Sequence, residues 1–348
     1  MKLIVLNYSM SSKSVVFAHQ RDTVVALAKF FSTVYVFTSE TETGELPSNV
    51  KVNKLSWKKE SPMINALEIF RKIVPFLLKN QDAIVFSHMT DVHSSLLSPF
   101  TSIFRMKHIL WYAHAHNSIY LNWSSLYVSN IVSSTPGSCN LKLNRGKIKF
   151  INQGINERDF PFNQEIFGKL NKIYYYGRLD RSKNIHIFNQ LMLKLNELNT
   201  SCTLDIFGRP ASPKSEFYLH KIKFSENLSS AIQFQKPIER ILIPNIAKQF
   251  GIFINLFSGS LDKTLIENTF MGIPVVTWNR EFCSEFGTWS GARVSETLEF
   301  LLQEIAYLKS SPKGDIQREI SRRYDVALRN HSFDGWIERL VLALKGNG

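Results

Sequence analysis

Two segments carry residue types that could do chemistry together. In YYYGRLDRSKN, residues 174–184, a β-prone run ends and the turn after it holds Arg178 and Lys183. In SGSLDKTLIENTFMGIPVVTW, residues 258–278, an apolar run breaks at a Ser/Gly loop. A helix then opens near Asp262 with Glu267 on it, and Gly272 closes it before a strand over 273–277. Two fixed cations and a helix N-terminus in one α/β domain make a cradle for a diphosphate, because cationic hydrogen-bond donors and the first-turn N–H groups all favour an anion. The same Arg178 and Lys183 also fit a basic loop in which Asp180 and Arg181 form surface pairs.

At these residues the chain resembles the glycosyltransferases of the GT-B fold, specifically the large retaining family 4. The resemblance implies a nucleotide-diphosphate sugar as donor, with no cofactor. As the sugar–oxygen bond breaks, charge grows on the β-phosphate oxygens, and Arg178 and Lys183 after Gly177 would stabilise that charge more in the transition state than before it. Glu267 matches the second glutamate of the family's Glu-x7-Glu pattern, whose carboxylate binds the ribose hydroxyls as an acceptor-only group. The first glutamate is replaced by Gly259. The run GSLDKTLIE resembles a branch of the family with Asp262 and Lys263 in the same loop, alongside Ser260, Leu261 and Thr264. For the nucleobase, the family's main-chain contacts map onto Gly208 and Arg209 and onto Lys236 to Ile238. The glycine-rich loop after the family's first strand has no glycine here; its place is taken by residues 9–14 with Lys13.

Histidines cluster after two strands of the N-terminal half. LWYAHAHN sets His114 and His116 past a buried strand, and the resemblance gives His114 the place beside the transferred sugar and the acceptor. Histidines at i and i+2 also suit a metal pair, yet no third ligand with recognisable spacing accompanies them, and an ordinary pair of loop histidines fits equally. SHMTDVH puts His88, Asp91 and His93 in a loop expected on the acceptor side, where plain loop residues are an equal reading. No Asp-x-Asp triplet occurs, which agrees with a metal-independent departure.

These residues need elements to hold them. β-prone runs alternate with helical periodicity throughout, which points to parallel sheets. Strands are expected over 3–7, 34–38, 83–87, 108–112, 131–133 and 148–152, and then over 172–176, 202–207, 232–234, 251–256 and 274–277. A first crossover helix is expected over 23–31. At 348 residues the chain suits two domains. The expected division is an acceptor domain over 1–158, a nucleotide-sugar domain over 159–330, and a final helix in 331–348 that crosses back to the first, with the two doubly wound halves facing across a cleft at their strand C-termini.

Composition, with 44% hydrophobic and 20% charged residues, is that of a soluble globular protein. No apolar segment approaches the roughly 20 residues needed to span a bilayer, and the short apolar N-terminus reads as a strand, so the expectation is a cytoplasmic protein. Three scattered cysteines suggest neither disulfides nor zinc. The net charge of +13 attracts anionic partners. Part of it lies in Lys51, Lys54, Lys58, Lys59, Arg71, Lys72 and Lys79, which face Glu60 and Glu68. Met63, Leu67, Phe70, Val74 and Leu77 recur there at helical spacing, a basic amphipathic helix that Pro75 would kink near its end. Its apolar face can rest on the core, or the helix can rest on anionic lipid at the inner face of a membrane. The acceptor expected is a glycan or lipid-linked glycan of surface polysaccharide synthesis. Three other readings are a sugar-nucleotide epimerase of the same fold, a silent nucleotide- or glycan-binding module, and a nucleic-acid binder; no nucleic-acid motif supports the last.

Overall fold

The computed structural model of the chain describes residues 1–11, 17–41, 44–56, 62–114, 116–163, 168–222 and 231–346. Lys13, Lys58, Lys59 and Glu60 lie outside the described residues. The chain divides into two compact units, one of residues 1–152 with 334–348 and the other of residues 153–333.

In the first unit the elements run β1 (Lys2–Leu6), α1 (Ala18–Leu27), β2 (Thr33–Thr38), β3 (Val50–Lys54), α2 (Pro62–Lys72), α3 (Val74–Lys79), β4 (Ile84–His88), α4 (Asp91–Ile103), β5 (His108–Trp111), α5 (Ile119–Tyr127), β6 (Asn130–Ser133) and β7 (Ile148–Phe150). Among the described residues these strands form one sheet in the order β3-β2-β1-β4-β5-β6-β7, parallel at every pairing. Leu3, Ile4, Val5 and Leu6 are all fully buried, as expected of a central strand covered on both faces.

Three expectations are corrected here. β3 was not anticipated: its VKVNK sequence is largely exposed at the sheet edge, and the lysines that read as part of a charge run belong to an edge strand. The first crossover helix covers Ala18–Leu27, earlier than 23–31. The single kinked helix is two helices, because Pro75 sits in the first turn of α3, where its missing N–H costs nothing. The buried side of this pair is Asn65, Ile69, Ile73 and Leu77, spaced four apart, while Met63 and Leu67 face solvent.

The second unit continues with β8 (Lys172–Arg178), α6 (Ile185–Glu197), β9 (Thr203–Arg209), α7 (Pro213–Lys221), β10 (Ile232–Gln235), α8 (Ile243–Ala247), β11 (Ile252–Ile254), α9 (Lys263–Phe270), β12 (Val275–Val276), α10 (Arg280–Phe286), α11 (Leu298–Ser310) and α12 (Lys313–His331). Its sheet, again parallel, has the order β10-β9-β8-β11-β12. Tyr174, Tyr175, Phe188, Phe253 and Phe270 fill its core. The last helix, α13 (Phe333–Lys345), belongs to the first unit from Asp334 onward. There Trp336 meets Trp111 edge-on, with ring centroids 5.1 Å apart, and Arg339 Nε donates to the Ile151 carbonyl at 2.9 Å. No helix among the described residues is long and apolar enough to cross a membrane.

Candidate functional site

In the second unit the site is built where β8, β9 and β11 end. β8 and β9 run in register to their last residues, pairing Gly177 with Gly208 and Arg178 with Arg209. A Cβ on Gly208 would lie 2.2 Å from the Gly177 carbonyl oxygen, so the approach of these two strand ends requires glycine. Beyond β8, the Asp180 side chain accepts from Ser182 N at 3.0 Å and folds residues 181–183 into a single 3-10 turn. Asn184 leaves that turn in the left-handed region, with φ of 53°, and its amide donates to the Leu256 carbonyl at 2.9 Å, fixing the turn to the loop after β11.

That junction buries Lys183, whose side chain is 8% exposed. Its ammonium pairs with Asp262 and lies 3.8 Å from the centre of the Phe257 ring. Asp262 has a second duty as N-cap of α9: its Oδ1 accepts from Thr264 N at 3.1 Å, and its Oδ2 accepts from Asn255 Nδ2 at 3.1 Å. Burial pushes the Asp262 carboxyl up, but Lys183 and the Thr264 and Asn255 donors outweigh it and hold the group below its usual value. The Arg178 side chain, by contrast, is 66% exposed, with Asp180 at 3.6 Å. Of the two motif cations, one is open to a ligand and the other is committed in part to a carboxylate.

One and a half turns into α9, the Glu267 carboxylate accepts from the Tyr176 hydroxyl at 2.7 Å, with an Arg240 guanidinium nitrogen 3.6 Å away. Burial raises its pKa despite Arg240, Tyr176 and Lys263. Burial is also the main cause of a lowered Lys263 pKa, to which Arg240 adds and which Glu267 opposes. Asn268, next to Glu267, accepts from the Tyr174 hydroxyl and donates to Tyr176 at 3.2 Å. Burial carries both tyrosines well above the usual value, so they are neutral donors.

The loop between β11 and α9 is held from several sides. Asn279 Nδ2 donates to the carbonyls of Phe257 at 2.9 Å, Gly259 at 3.0 Å and Ser260 at 3.2 Å. Glu281 accepts from Leu261 N at 2.6 Å, and Gln153 donates to the Leu261 carbonyl at 3.0 Å. A Cβ on Gly259 would lie 2.3 Å from the tip of the Phe257 ring. Any side chain at the position of the absent glutamate would therefore strike an aromatic ring. Sequence reasoning missed Tyr176, Arg240, Asn255, Asn268, Asn279 and Glu281. Of these, Tyr176 and Asn268 stood inside segments already singled out; Arg240, in a turn after β10, lies just past the expected base contacts at Ile238.

In the first unit, His88, His114 and His116 all lie at the C-terminal edge of β4 and β5. His88 is the last residue of β4, paired with Trp111, and is buried beside Phe86, His19 and Trp336. His93 is on α4 and buried, with its pKa lowered by burial to about 4. The expected histidine loop is thus a strand end and a helix, because α4 begins at once with Asp91, which accepts from the Ser118 hydroxyl at 2.6 Å and so holds the start of α5. His114 and His116 are exposed; His114 has its ring 5.6 Å from Tyr112, whose hydroxyl donates to the His116 carbonyl at 2.5 Å. No group of side chains suited to a metal ion is present among the described residues.

Solved structures resemble the whole chain. A glycosyltransferase from Rickettsia africae ESF-5 superposes with a TM-score of 0.75 at 15% identity, covering 100% of this chain and 99% of its own. HepE of Anabaena, solved in complex with UDP-glucose, gives 0.73 at 10% identity with both chains fully covered. Sucrose-phosphate synthase of Thermosynechococcus elongatus gives 0.74 at 12%, covering 99% of this chain and 98% of its own. The chain has the GT-B glycosyltransferase fold. No family model and no curated protein sequence matches it. The GT-B sheet C-termini are thus the ends that carry Arg178, Lys183 and the Asp262 loop in one unit and the three histidines in the other.

Proposed function

We propose that the protein is a retaining glycosyltransferase that moves a sugar from a nucleotide-diphosphate sugar, such as a UDP- or GDP-sugar, to a glycan or lipid-linked acceptor. The observation that carries the reading is the construction at the N-terminus of α9, where Lys183, Asp262 and the first-turn N–H groups meet, with Glu267 farther along the same helix. The fold of HepE, which was solved with UDP-glucose, supports a UDP-sugar among the donors.

In this reading the diphosphate lies between Arg178, Lys183 and the start of α9. Asp262 engages one of three ammonium donors of Lys183, and two remain for phosphate oxygens. Lys263, Ser260 and Thr264 stand at the same helix end, whose partial positive charge adds to theirs. The ribose hydroxyls donate to Glu267, displacing Arg240 toward the nucleoside. Departure of the diphosphate concentrates charge on these fixed donors, so no metal is required for the step, and the leaving oxygen can take the acceptor proton on the same face of the sugar. The acceptor hydroxyl is brought by the first unit near His114 and His116.

The test is a thermal-shift series with UDP, GDP, ADP and CMP and their sugar conjugates on the wild type and on Arg178→Ala, a change at an exposed position. A ligand at about 100 times its Kd stabilises a fold by roughly 2.7 kcal/mol. The expected result is a rise with one nucleoside diphosphate class that Arg178→Ala largely removes. No rise with any nucleotide would refute the donor site and leave a silent binding module as the better reading.

A further inference from the structure

Two helices of the first unit are amphipathic in the inverted sense. α5 turns Leu121, Ser124 and Ser125 to the interior and leaves Ile119, Tyr120, Trp123 and Leu126 exposed, with Ile119 at 76%. Its neighbour α4 also buries polar residues, Ser94, Ser95, Ser98 and Thr101, of which Ser94 and Thr101 reach His108 of β5. On the other side of α4, α2 buries Asn65 and Ile69 while Met63, Ile64, Leu67 and Phe70 are exposed, with Met63 at 86%. The Phe70 and Phe100 rings, 5.6 Å apart, join α2 to α4, and Ile103 at the end of α4 is exposed. A helix that keeps serines inside and places tryptophan, tyrosine and leucine outside gains nothing from the second choice as a free body in water.

Charge defines what could cover this face. The first unit contains 19 Lys and Arg against 10 Asp and Glu, nine of the thirteen excess charges of the chain. No acidic residue stands between Asp91 and Glu157, a stretch that holds Arg105, Lys107, Lys142, Arg145, Lys147 and Lys149. The basic loop after β6 is seated against the end of α5: Lys147 Nζ donates to the carbonyls of Ser125 at 2.9 Å and Val128 at 3.0 Å, and Asn144 donates to Ser125 at 3.3 Å. Lys142, Leu143 and Arg145 of that loop are exposed. The last turn of α2 adds Arg71 and Lys72, also exposed, with Lys72 paired to Glu68 at 2.6 Å. A second copy of this chain would bring the same positive field against itself, whereas aromatic and aliphatic side chains ringed by cations match the headgroup region of an anionic bilayer, where Trp and Tyr settle at the boundary and Lys and Arg meet phosphate.

We infer that the α2–α4–α5 face, centred on Trp123, Leu126, Leu67 and Phe70, docks this protein on a membrane surface rich in anionic lipid. The inference extends the proposed function by delivering the enzyme to a lipid-linked acceptor, but it stands on the surface alone and is tested without any donor.

The experiment is flotation of the full chain with vesicles of phosphatidylcholine containing 30% phosphatidylglycerol, ~0.3 mole fraction as a typical anionic load, against vesicles of phosphatidylcholine alone. The wild type should float with the anionic vesicles, less so as salt rises, with the Trp123 emission shifted to shorter wavelength. Trp123→Ser with Leu126→Ser should lower the partition coefficient about tenfold or more, as should Leu67→Ser with Phe70→Ser, and Lys142→Glu with Arg145→Glu should remove the salt dependence in part. None of these residues belongs to the nucleotide site, so the nucleotide-induced melting shift should stay at its wild-type size in each variant; that shift reports folding and the donor site independently of lipid. Equal flotation of wild type and both apolar variants would overturn the inference. So would absence of vesicle binding, whether the chain is then monomeric or forms oligomers that the same variants dissolve.

Discussion

Replacing Lys183 by methionine separates the two tasks this residue performs. Its side chain is 8% exposed and that of Asp262 15%, so the substitution leaves a carboxylate inside the protein with its cation gone. Breaking a buried pair by removing one partner costs about 3–5 kcal/mol, and the remaining donors from Thr264 and Asn255 place this case at the lower end, about 3 kcal/mol. For a unit of this size that corresponds to a fall in Tm of roughly 6–12 °C. The pH dependence carries the sign. In the wild type the Asp262 carboxyl is held below its ordinary value, so its contribution is present above the unfolded pKa of about 4 and is lost as pH falls through the folded value. Without Lys183, burial dominates and the folded pKa rises above the unfolded one, so protonation now favours the fold. The stability gap between variant and wild type should therefore narrow as pH drops from 7 toward 4. Asp262→Asn keeps a good N-cap and releases Lys183 from its carboxylate, so nucleoside diphosphate binding should tighten in that variant and weaken in Lys183→Met. Thermal denaturation across pH and a calorimetric titration with UDP read both. A gap that stays constant from pH 7 to 4, or weaker diphosphate binding in Asp262→Asn with its fold intact, would refute the reasoning.

Glu267→Gln should weaken nucleoside diphosphate binding by about 10- to 100-fold, the worth of a hydrogen bond to a charged group, and should largely abolish the difference between UDP and its 2′,3′-dideoxy analogue; an unchanged ribose preference in titration calorimetry would move that contact elsewhere. Gly259→Ala should lower stability by about 1–3 kcal/mol through overpacking against Phe257, and the cost should largely vanish in a Phe257→Ala background, which a double-mutant cycle on urea midpoints measures. His93 and His108 are held neutral by burial, with pKa values of about 4 and about 3. The unfolded chain thus takes up their protons first, and stability should fall as pH drops below about 6.5. His108→Gln, which can keep the Ser87 and Thr101 hydroxyl contacts, should flatten that slope in pH-dependent denaturation.

The parallel sheets were legible because their strands are short apolar runs of fixed period, and eleven such runs coincide with strands of the structure. β3 was not, since an edge strand with lysine on both faces has no apolar signal to give. The helix over α2 and α3 was legible as a period of apolar residues, but period does not say which side faces the core: Met63 and Leu67 fall outside and Asn65 inside, while Ile69, Ile73 and Leu77 join the core with Ile4, Leu6, Phe37, Val85 and Leu97. His88 read as a loop residue because a histidine at a strand end looks like the beginning of a turn, and only the burial of Trp336 and Trp111 around it makes the ring part of the interior.

The site shows a different limit. Arg178, Lys183 and Glu267 carry a spacing that sequence can read, whereas the groups that orient them are ordinary asparagines and tyrosines on other elements. Asn255 and Asn279 have local roles, Asn255 accepting from Phe257 N and Asn279 capping α10 by accepting from Phe282 N, but their contacts to the site, with the Thr264 hydroxyl and the Gly259 carbonyl, span 9 and 20 residues and follow no local pattern. The replaced glutamate is the instructive case. From sequence, Gly259 is a loss; in the structure it is the consequence of Phe257, whose ring fills the position where a side chain would go and lies over the Lys183 ammonium. The loop presents an aromatic face there and carries its carboxylate three residues on, at Asp262, which both caps α9 and holds Lys183. In the proposed function, a donor sugar resting there would meet an apolar ring in place of an acceptor for its hydroxyls, which bears on which sugar is bound, with the diphosphate expected at Arg178 and Lys183 and the ribose at Glu267.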